Sequence, residues 1–316
     1  MHPPLNPPLA TIDSLRDALA RRILNRTRPD KVMDTAIDGL KLIQRTHPTG
    51  PLAVTYEPSL AVVVQGRKQI ELGGATIIYD PTRFLLTSLD LPVMSRVTEA
   101  SPRKPYVCLA LKLEMSVVRE LAARIDPGPQ ELAARGPAMA TGPVTAELLG
   151  ALHRLVSLLD TPEDIPVLCP LVRREITYRI LRSPAGARLR QIAVMGEESQ
   201  RVGRAVEWIR QNFREPLRIA DLASMANMGL STFHRHFRTL TNMSPLQYQK
   251  KLRLQAARDR MVSEGLDVSS AAYEAGYESV SQFTREYSRL FGRPPGRDVR
   301  DLRAAAARPL AAAGNG

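Results

Sequence analysis

The chain has 316 residues, and its hydrophobic content of 44% is ample for packed cores, so this length predicts two domains. No apolar run approaches the ~20 residues of a membrane-spanning helix. Two cysteines, Cys108 and Cys169, cannot form a disulfide scaffold, and the N-terminal residues lack the pattern of a secretory signal. We therefore expect a cytoplasmic protein with no membrane contact.

The first half of the chain alternates between helical and strand patterns. Residues 11–26 predict an amphipathic helix, and residues 40–113 then carry short β-branched runs that are separated by turn residues. Gly73 and Gly74 predict a hairpin turn. Regularly spaced short strands are typical of a sandwich or a small barrel. Helical patterns, which would cover the barrel or form an oligomer surface, return at 115–124, 144–160 and 165–182.

Residues 219–240 predict a helix-turn-helix unit. Ala223 is small enough to let the two helices cross closely. Asn227 tolerates the left-handed conformation that a tight turn requires. Phe233 and Phe237 then form the apolar face of a second helix, and its opposite face is polar or basic.

Residues 268–290 repeat this pattern. Gly276 lies where the first helix should end with a positive φ. Ser279 is a suitable N-cap for the next helix, which buries Phe283 and Tyr287. The two units therefore predict an internal repeat that is joined by a long helix.

The positive charge of the chain is concentrated around the repeat. The formal net charge is +12, and residues 199–300 contain 17 Lys and Arg against 10 Asp and Glu. A basic excess on such helices attracts DNA phosphates and makes the affinity depend on salt.

Two stretches of the C-terminal half resemble AraC/XylS-type bacterial transcription regulators. Gly276–Pro295 resembles the signature of that family, and Phe233–Arg258 is similar to its first unit and connecting helix. Gly229 departs from the pattern because a capping serine is usual there. The resemblance implies double-stranded promoter DNA as a partner, with both recognition helices in successive major grooves about 34 Å apart. Contact with RNA polymerase is a further family expectation.

The resemblance also implies which side chains meet DNA, although an ordinary solvated helix face is the alternative for each of them. Six match positions that meet base edges: Ser231, His234, Arg235, Val280, Ser281 and Arg285. Five match supporting or backbone-contacting positions: Thr232, Arg238, Ser279, Gln282 and Thr284. The apolar Val280 can touch only a thymine methyl group, so the second helix should read sequence with fewer hydrogen bonds.

The N-terminal half has a resemblance of its own, to the regulatory domain of one AraC branch. The stretches that carry it are Thr35–Leu40, Tyr56–Ser59, Val64–Lys68, Tyr79–Pro81 and Leu89–Pro92. Such domains are usually cupin-like β-barrels, so the resemblance implies a sensor for a small organic effector and a homodimer. It does not identify the effector.

Alternation along the predicted strands bears on where an effector would bind. Val62 and Val64 face one way and Val63 and Gln65 the other, and the sequence does not decide which face lines a cavity. Our effector-pocket prediction, with simple core packing as the alternative, comprises Val62, Val64, Tyr79, Phe84 and Leu86.

Catalytic and metal sites are not indicated. Residues 30–185 contain two histidines, His47 and His153, and neither has a partner at ligand spacing. We therefore predict no enzymatic activity, no metal and no cofactor. Two alternatives stay open: a small-molecule-binding cupin with a non-specific basic docking domain, and a stress sensor that uses the thiol of Cys108 or Cys169.

The sequence thus predicts an α+β protein. An N-terminal cupin-like β-barrel with flanking helices precedes an all-α domain of two helix-turn-helix units joined by a long helix. The predicted divisions are a regulatory and dimerisation domain at 1–185, a linker at 186–200, a DNA-binding domain at 201–303 and a disordered tail at 304–316.

Overall fold

The structure is a computed structural model that describes residues 11–125, 136–193 and 198–311, with side chains described as far as residue 304. The described strands are β1 (Val32–Asp34), β2 (Leu40–Arg45), β3 (Leu52–Tyr56), β4 (Ser59–Gln65), β5 (Arg67–Leu72), β6 (Ala75–Tyr79), β7 (Arg83–Thr87), β8 (Leu91–Glu99), β9 (Tyr106–Lys112) and β10 (Met139–Pro143).

The described α-helices are α1 (Ile12–Leu24), α2 (Met115–Ala122), α3 (Ala146–Ser157), α4 (Ile165–Arg182), α5 (Gly186–Ala193), α6 (Glu198–Gln211), α7 (Ile219–Met225), α8 (Leu230–Thr241), α9 (Pro245–Ser263), α10 (Val268–Glu274), α11 (Val280–Phe291) and α12 (Pro295–Ala311). None of these described helices is both long and apolar enough to cross a membrane.

The strands form two antiparallel sheets. Six strands pair in the order β1-β2-β9-β4-β7-β10, and four pair in the order β3-β8-β5-β6. The predicted β-rich domain followed by helix-turn-helix units is confirmed. The sheets face each other and pack through side chains, however, and their hydrogen bonding does not close into one continuous barrel.

β4 is buried on both faces, which explains its unbroken apolar sequence. Leu60, Val62 and Val64 pack under α1, α3 and α4 in a core on the helical side. Ala61 and Val63 point the other way, into the layer between the two sheets. The alternation predicted for β4 is therefore confirmed. The packed helices determine which face of the strand lies against them and which lies between the sheets.

The layer between the sheets continues without a break into the first helix-turn-helix unit. Val63 and Tyr79 from the sheets belong to the same apolar cluster as Val206 on α6, Leu222 on α7 and Phe237 on α8. A separate cluster fills the second unit. The first unit thus shares the core that lies between the two sheets, whereas the second has a core of its own.

Hydrogen bonds reinforce this junction. The Tyr248 hydroxyl on α9 donates to the carbonyl oxygen of Asp90 at 2.7 Å, and the backbone amide of Ala138 donates to the carbonyl of Leu240 at 2.8 Å. Burial raises the pKa of the Asp90 carboxyl to about 6, although Arg210 nearby opposes the shift. The junction therefore holds a carboxyl group that is partly protonated near pH 6.

The predicted hairpin turn at Gly73 and Gly74 is confirmed, and it docks on the end of α8. Gly73 has φ +56, and a Cβ atom there would overlap the carbonyl oxygen of Asn242. Asn242 is itself left-handed and donates from Nδ2 to the Leu72 carbonyl at 3.2 Å. Only glycine allows the two backbones to approach so closely.

The predicted linker and the predicted tail both contain helix. The predicted linker contains α5, and most of its side chains are buried, including Leu189 and Ile192. Helix α12 continues to Ala311, into the predicted tail, and residues 312–316 lie outside the described part of the chain. Trp208 on α6 packs against the shared core.

A buried ion pair ties α9 to α12 in the second unit. The Arg258 guanidinium donates to both carboxylate oxygens of Asp298, at 2.7 and 3.1 Å, and Tyr287 donates to the same carboxylate at 2.8 Å. The guanidinium also lies over the ring of Phe291, 4.5 Å from its centre. Both charged groups are buried, so each needs the other to balance its charge away from water.

We expect Asp298→Ala to lower the free energy of unfolding by about 3–5 kcal/mol, because it leaves Arg258 as an uncompensated buried charge. Urea unfolding followed by circular dichroism measures this loss. The control is Asp301→Ala, which breaks an exposed pair with Arg293 and should cost less than about 1 kcal/mol. Equal losses in the two variants would contradict a structural role for the buried pair.

Gly73→Ala should loosen the hairpin from α8, because the new methyl group meets the Asn242 carbonyl. Gly74→Ala is the matched control: it has a similar positive φ but open space around its Cβ position. The control should cost about 1 kcal/mol of backbone strain. Amide hydrogen exchange over residues 238–244 should rise in Gly73→Ala alone, and the same rise in both variants would count against the contact.

Candidate nucleic-acid interface

The first helix-turn-helix unit comprises α7 and α8. The Met228 amide donates to the Ala223 carbonyl at 2.9 Å and closes the turn, while Asn227 takes φ +51. The left-handed position predicted for Asn227 is therefore confirmed. Gly229 is the N-cap of α8 and supplies no side-chain hydrogen bond to the helix.

The second unit, α10 and α11, repeats this geometry. The Tyr277 amide donates to the Ala272 carbonyl at 3.0 Å, and Gly276 takes φ +87. The Ser279 hydroxyl caps α11 by accepting from the Gln282 amide at 3.3 Å, as predicted. The second turn is one residue longer, with 275–279 between its helices against 226–229 in the first.

Both recognition helices, α8 and α11, are anchored by a pair of aromatic rings one turn apart. Phe233 and Phe237 lie 5.6 Å apart between ring centres, and Phe283 and Tyr287 lie 5.5 Å apart. All four side chains are fully buried. The matching anchors give α8 and α11 the same rotation, so equivalent residues on their other faces point outward from each unit.

The structure places most of the predicted DNA-contacting side chains on these outward faces. The exposed ones are Ser231, His234, Arg235, Arg238, Ser279, Ser281, Gln282 and Arg285. Thr232, Val280 and Thr284 are half-buried, and Val280 packs against the core of the second unit. Val280 therefore offers only part of its surface to a ligand.

Arg235 and Arg285 occupy equivalent positions, each two residues after the first aromatic anchor of its helix. Among the described residues neither guanidinium pairs with a carboxylate, and Arg235 has only a long contact of 3.5 Å with the His236 ring. An exposed, uncommitted guanidinium can donate two parallel hydrogen bonds to guanine O6 and N7.

The His234 and His236 side chains point in different directions, because residues two apart on a helix do not face each other. His236 turns back to α6, where its Nε2 lies 3.0 Å from the Glu198 carboxylate, and His234 is exposed. Within the described residues, no three His, Cys, Asp or Glu side chains come close enough together to hold a metal ion.

Helix α9 joins the units and begins with a capping box of Ser244 and Gln247. From its middle, Arg253 donates to the carbonyl of Phe213 at 2.6 Å and to that of Gly276 at 2.8 Å. It thereby links the segment before α7 to the turn of the second unit. Sequence reasoning missed this positioning role, because an arginine on a long helix has no distinctive local pattern.

A cavity of about 480 Å³ that opens to solvent lies between the two sheets near β1, β2 and β3. Of the predicted effector-pocket residues only Tyr79 lines it. The structure does not bring the others to it, because β4 and β7 turn four of them toward the helical core: Val62, Val64, Phe84 and Leu86. The face that carries Ala61 lines the cavity instead.

Lys68, which sequence reasoning also missed, lies in the cavity wall directly across from Tyr79 on β6. Alternation along β5 could have identified it. Lys68 lies on the same face of the strand as Ile70 and Leu72, which are both core residues, so its side chain also points inward. Cys108 lines the same cavity.

Neither cysteine is an activated thiol in this structure. Burial raises the pKa of the Cys108 thiol and that of the Cys169 thiol. Both groups are therefore held in the protonated form, which is the weaker nucleophile. The thiol-sensor alternative finds no support in this geometry.

Comparison with known proteins agrees with this architecture. The profile of the AraC-type transcriptional regulator N-terminus matches residues 36–188, and that of a helix-turn-helix domain matches residues 222–301.

Among curated relatives, the transcriptional activator RhaS of Pectobacterium carotovorum is 28% identical over 100 residues, which are 32% of this chain and 36% of the RhaS chain. The transcriptional regulator ExsA of Pseudomonas aeruginosa is 25% identical over 263 residues, 82% of this chain and 93% of ExsA. The chain thus spans about a third of the RhaS relatives and nearly all of ExsA.

A solved structure shares the fold. ToxT from Vibrio cholerae, crystallised with an unsaturated fatty acid, superposes with a TM-score of 0.54 at 9% identity, over 83% of this chain and 93% of ToxT. Both halves of the architecture and both profiles agree, in the same chain order. The chain therefore belongs to the AraC-type family of transcriptional regulators.

Proposed function

We propose that this protein is a sequence-specific regulator of transcription that binds promoter DNA through α8 and α11 and responds to a small organic effector. The observation that carries the proposal is the repeat itself: two helices with matching aromatic anchors present Arg235 and Arg285 at equivalent exposed positions. We assign residues 1–185 to regulation, 186–200 to a linker and 201–303 to DNA binding. No catalytic step is required.

On DNA, α8 and α11 enter successive major grooves of one face. Arg235 and Arg285 each read a guanine, Ser231, His234 and Ser281 add hydrogen bonds to base edges, and Val280 touches a thymine methyl group. The remaining predicted residues orient the helices against the backbone: Thr232, Arg238, Ser279, Gln282 and Thr284. Arg253 supports this arrangement by holding the second turn against the segment before α7.

Arg235→Ala and Arg285→Ala should each weaken binding to a specific site by roughly 1–3 kcal/mol. The measurement uses DNA from upstream of the gene and its neighbours, at physiological salt with excess competitor DNA. Arg103→Ala is the matched control, because it removes one exposed positive charge from the regulatory half. It should leave the specific affinity nearly unchanged.

Equal affinity for all DNA sequences, insensitive to both recognition-helix changes, would contradict the proposal. That result would favour the alternative, a small-molecule-binding protein whose basic domain docks without sequence preference.

The regulatory half contacts α9 directly through Gln255. The Thr55 hydroxyl donates to Gln255 Oε1 at 2.9 Å, and Gln255 Nε2 donates to the carbonyls of Val54 and Val93 at 3.3 and 3.5 Å. Val54 and Thr55 also line the cavity between the sheets. A molecule in the cavity can therefore displace β3 and, through Gln255, the helix that joins both DNA-binding units.

Gln255→Leu should keep specific DNA binding but reduce the ratio of operator affinities with and without effector, once an effector is found by thermal-shift screening. Gln249→Leu is the matched control, because Gln249 is another buried glutamine of α9. Among the described residues its side chain bonds only to Phe213 and Glu215, within the DNA-binding half. In Gln249→Leu, the ratio of operator affinities with and without effector should equal that of the wild type. An unchanged ratio in Gln255→Leu would exclude this contact as the coupling route.

Two further partners belong to the proposal. Helix α4 presents Val167, Leu171 and Tyr178 to solvent, with 68%, 62% and 47% of their surfaces exposed. An apolar face of this kind favours a homodimer through the regulatory half.

RNA polymerase is the partner through which promoter binding would alter transcription. The cytoplasm is the compartment where promoter DNA is found.

A further inference from the structure

We propose that the effector is an organic anion and that Lys68 is the residue that recognises its charge. This inference rests on the proposed effector function and deepens it, because it names the chemical class of the ligand from the wall of the cavity.

The wall of the cavity combines apolar surface with three lysines. Apolar side chains from both sheets make most of it: Val32, Ile43, Val54, Ala61 and Ala110. The volume of about 480 Å³ lies within the range of small-molecule sites. The lysines are Lys41 and Lys112, which are exposed, and Lys68, which is half-buried.

Only Lys68 lacks a carboxylate partner. The Lys41 ammonium lies 3.3 Å from Asp34, and the Lys112 ammonium lies 2.9 Å from Glu57, the single carboxylate in the cavity wall. Lys68 Nζ instead lies 5.4 Å from the centre of the Tyr56 ring, and no acidic side chain of the described chain pairs with it. The wall therefore carries an uncompensated positive charge.

Burial lowers the pKa of the Lys68 ammonium, but the neighbouring Tyr56 and Cys108 side chains outweigh it and hold the pKa above its usual value, so Lys68 stays charged. Tyr56 supplies a cation–π contact, which is weaker than an ion pair. The negative group of a ligand would restore the balance. A neutral ligand would leave Lys68 unpaired, and a cationic ligand would add repulsion.

Hydroxyl groups near Lys68 suit an anion as well. Burial raises the pKa of Tyr79 and that of Tyr106, so both phenols stay protonated and can donate hydrogen bonds. Tyr79 lines the cavity, whereas the Tyr106 side chain is fully buried and lies outside the cavity wall. An ammonium group with neighbouring donors fits the oxygens of a carboxylate or sulfonate, while the ligand's hydrocarbon part packs on the apolar wall.

Two fluorescent probes with one ring skeleton test this directly on the full chain. They are 8-anilinonaphthalene-1-sulfonate, which is anionic, and N-phenyl-1-naphthylamine, which is neutral. The wild type should bind the anionic probe about tenfold more tightly, a difference of about 1.4 kcal/mol. Lys68→Met should remove that preference and leave the affinity for the neutral probe unchanged. Lys104→Met, an exposed lysine outside the cavity wall, is the matched control and should keep the preference.

A second variant locates the probes. Ala110→Phe places a ring in the cavity and should abolish binding of both probes, with Ala61→Leu as a milder substitute if that variant does not fold.

The outcomes separate the two proposals. If the cavity-filling variant loses both probes while Lys68→Met keeps the preference for the anion, the cavity binds organic molecules but the assignment to Lys68 is overturned. If the cavity-filling variants fold and still bind both probes, the cavity is not the site, and the effector part of the proposed function falls with it. Specific DNA binding, measured separately, would stand in either case.

Discussion

The structure depends on one continuous apolar layer. Side chains between the two sheets, such as Val63 and Tyr79, pack in the same cluster as Leu222 and Phe237 of the first helix-turn-helix unit. Because burial of apolar surface is the dominant favourable term in folding, separating the two halves would expose a face that each needs covered. The first DNA-binding unit is therefore an extension of the regulatory core.

The second unit is attached differently. Its core is separate, and its link to the rest of the chain runs through α9 and through hydrogen bonds from Arg253. Arg258 and Asp298 hold α12 against α9 within that unit. The distance and angle between the two recognition helices are thus set mainly by one helix and by a small number of charged side chains, which small displacements can alter.

The cavity lies in the same layer that joins the halves. Its wall includes Val54 and Thr55, whose polar groups bond to Gln255 on α9. The cavity and the DNA-binding units therefore share structural elements, with no long chain of intermediates between them. Any coupling to a molecule bound in the cavity would be limited by that molecule's preference for one arrangement of these elements over another.

Local chemistry made much of this protein predictable from its sequence. Asn227 and Gly276 mark the two turns because few residues accept a positive φ, and Ser279 marks a helix start because its hydroxyl can accept from the backbone. The apolar spacing of Phe233 and Phe237 predicts which helix face is buried. These features depend on neighbours within a few residues, so the sequence contains them directly.

Contacts between residues far apart in the chain were decided only by the tertiary structure. Alternation showed that Val62 and Val63 face opposite ways, but only the packing of the helices on one side reveals that Ala61 and Val63 point between the sheets. In the sequence, Gly73 looks like any other turn glycine. Only the fold places it against the backbone carbonyl of Asn242. Within the described part of the chain, Lys68 likewise lacks a carboxylate partner because of where the fold places the acidic side chains. The distance from Lys68 to those side chains cannot be inferred from the sequence pattern.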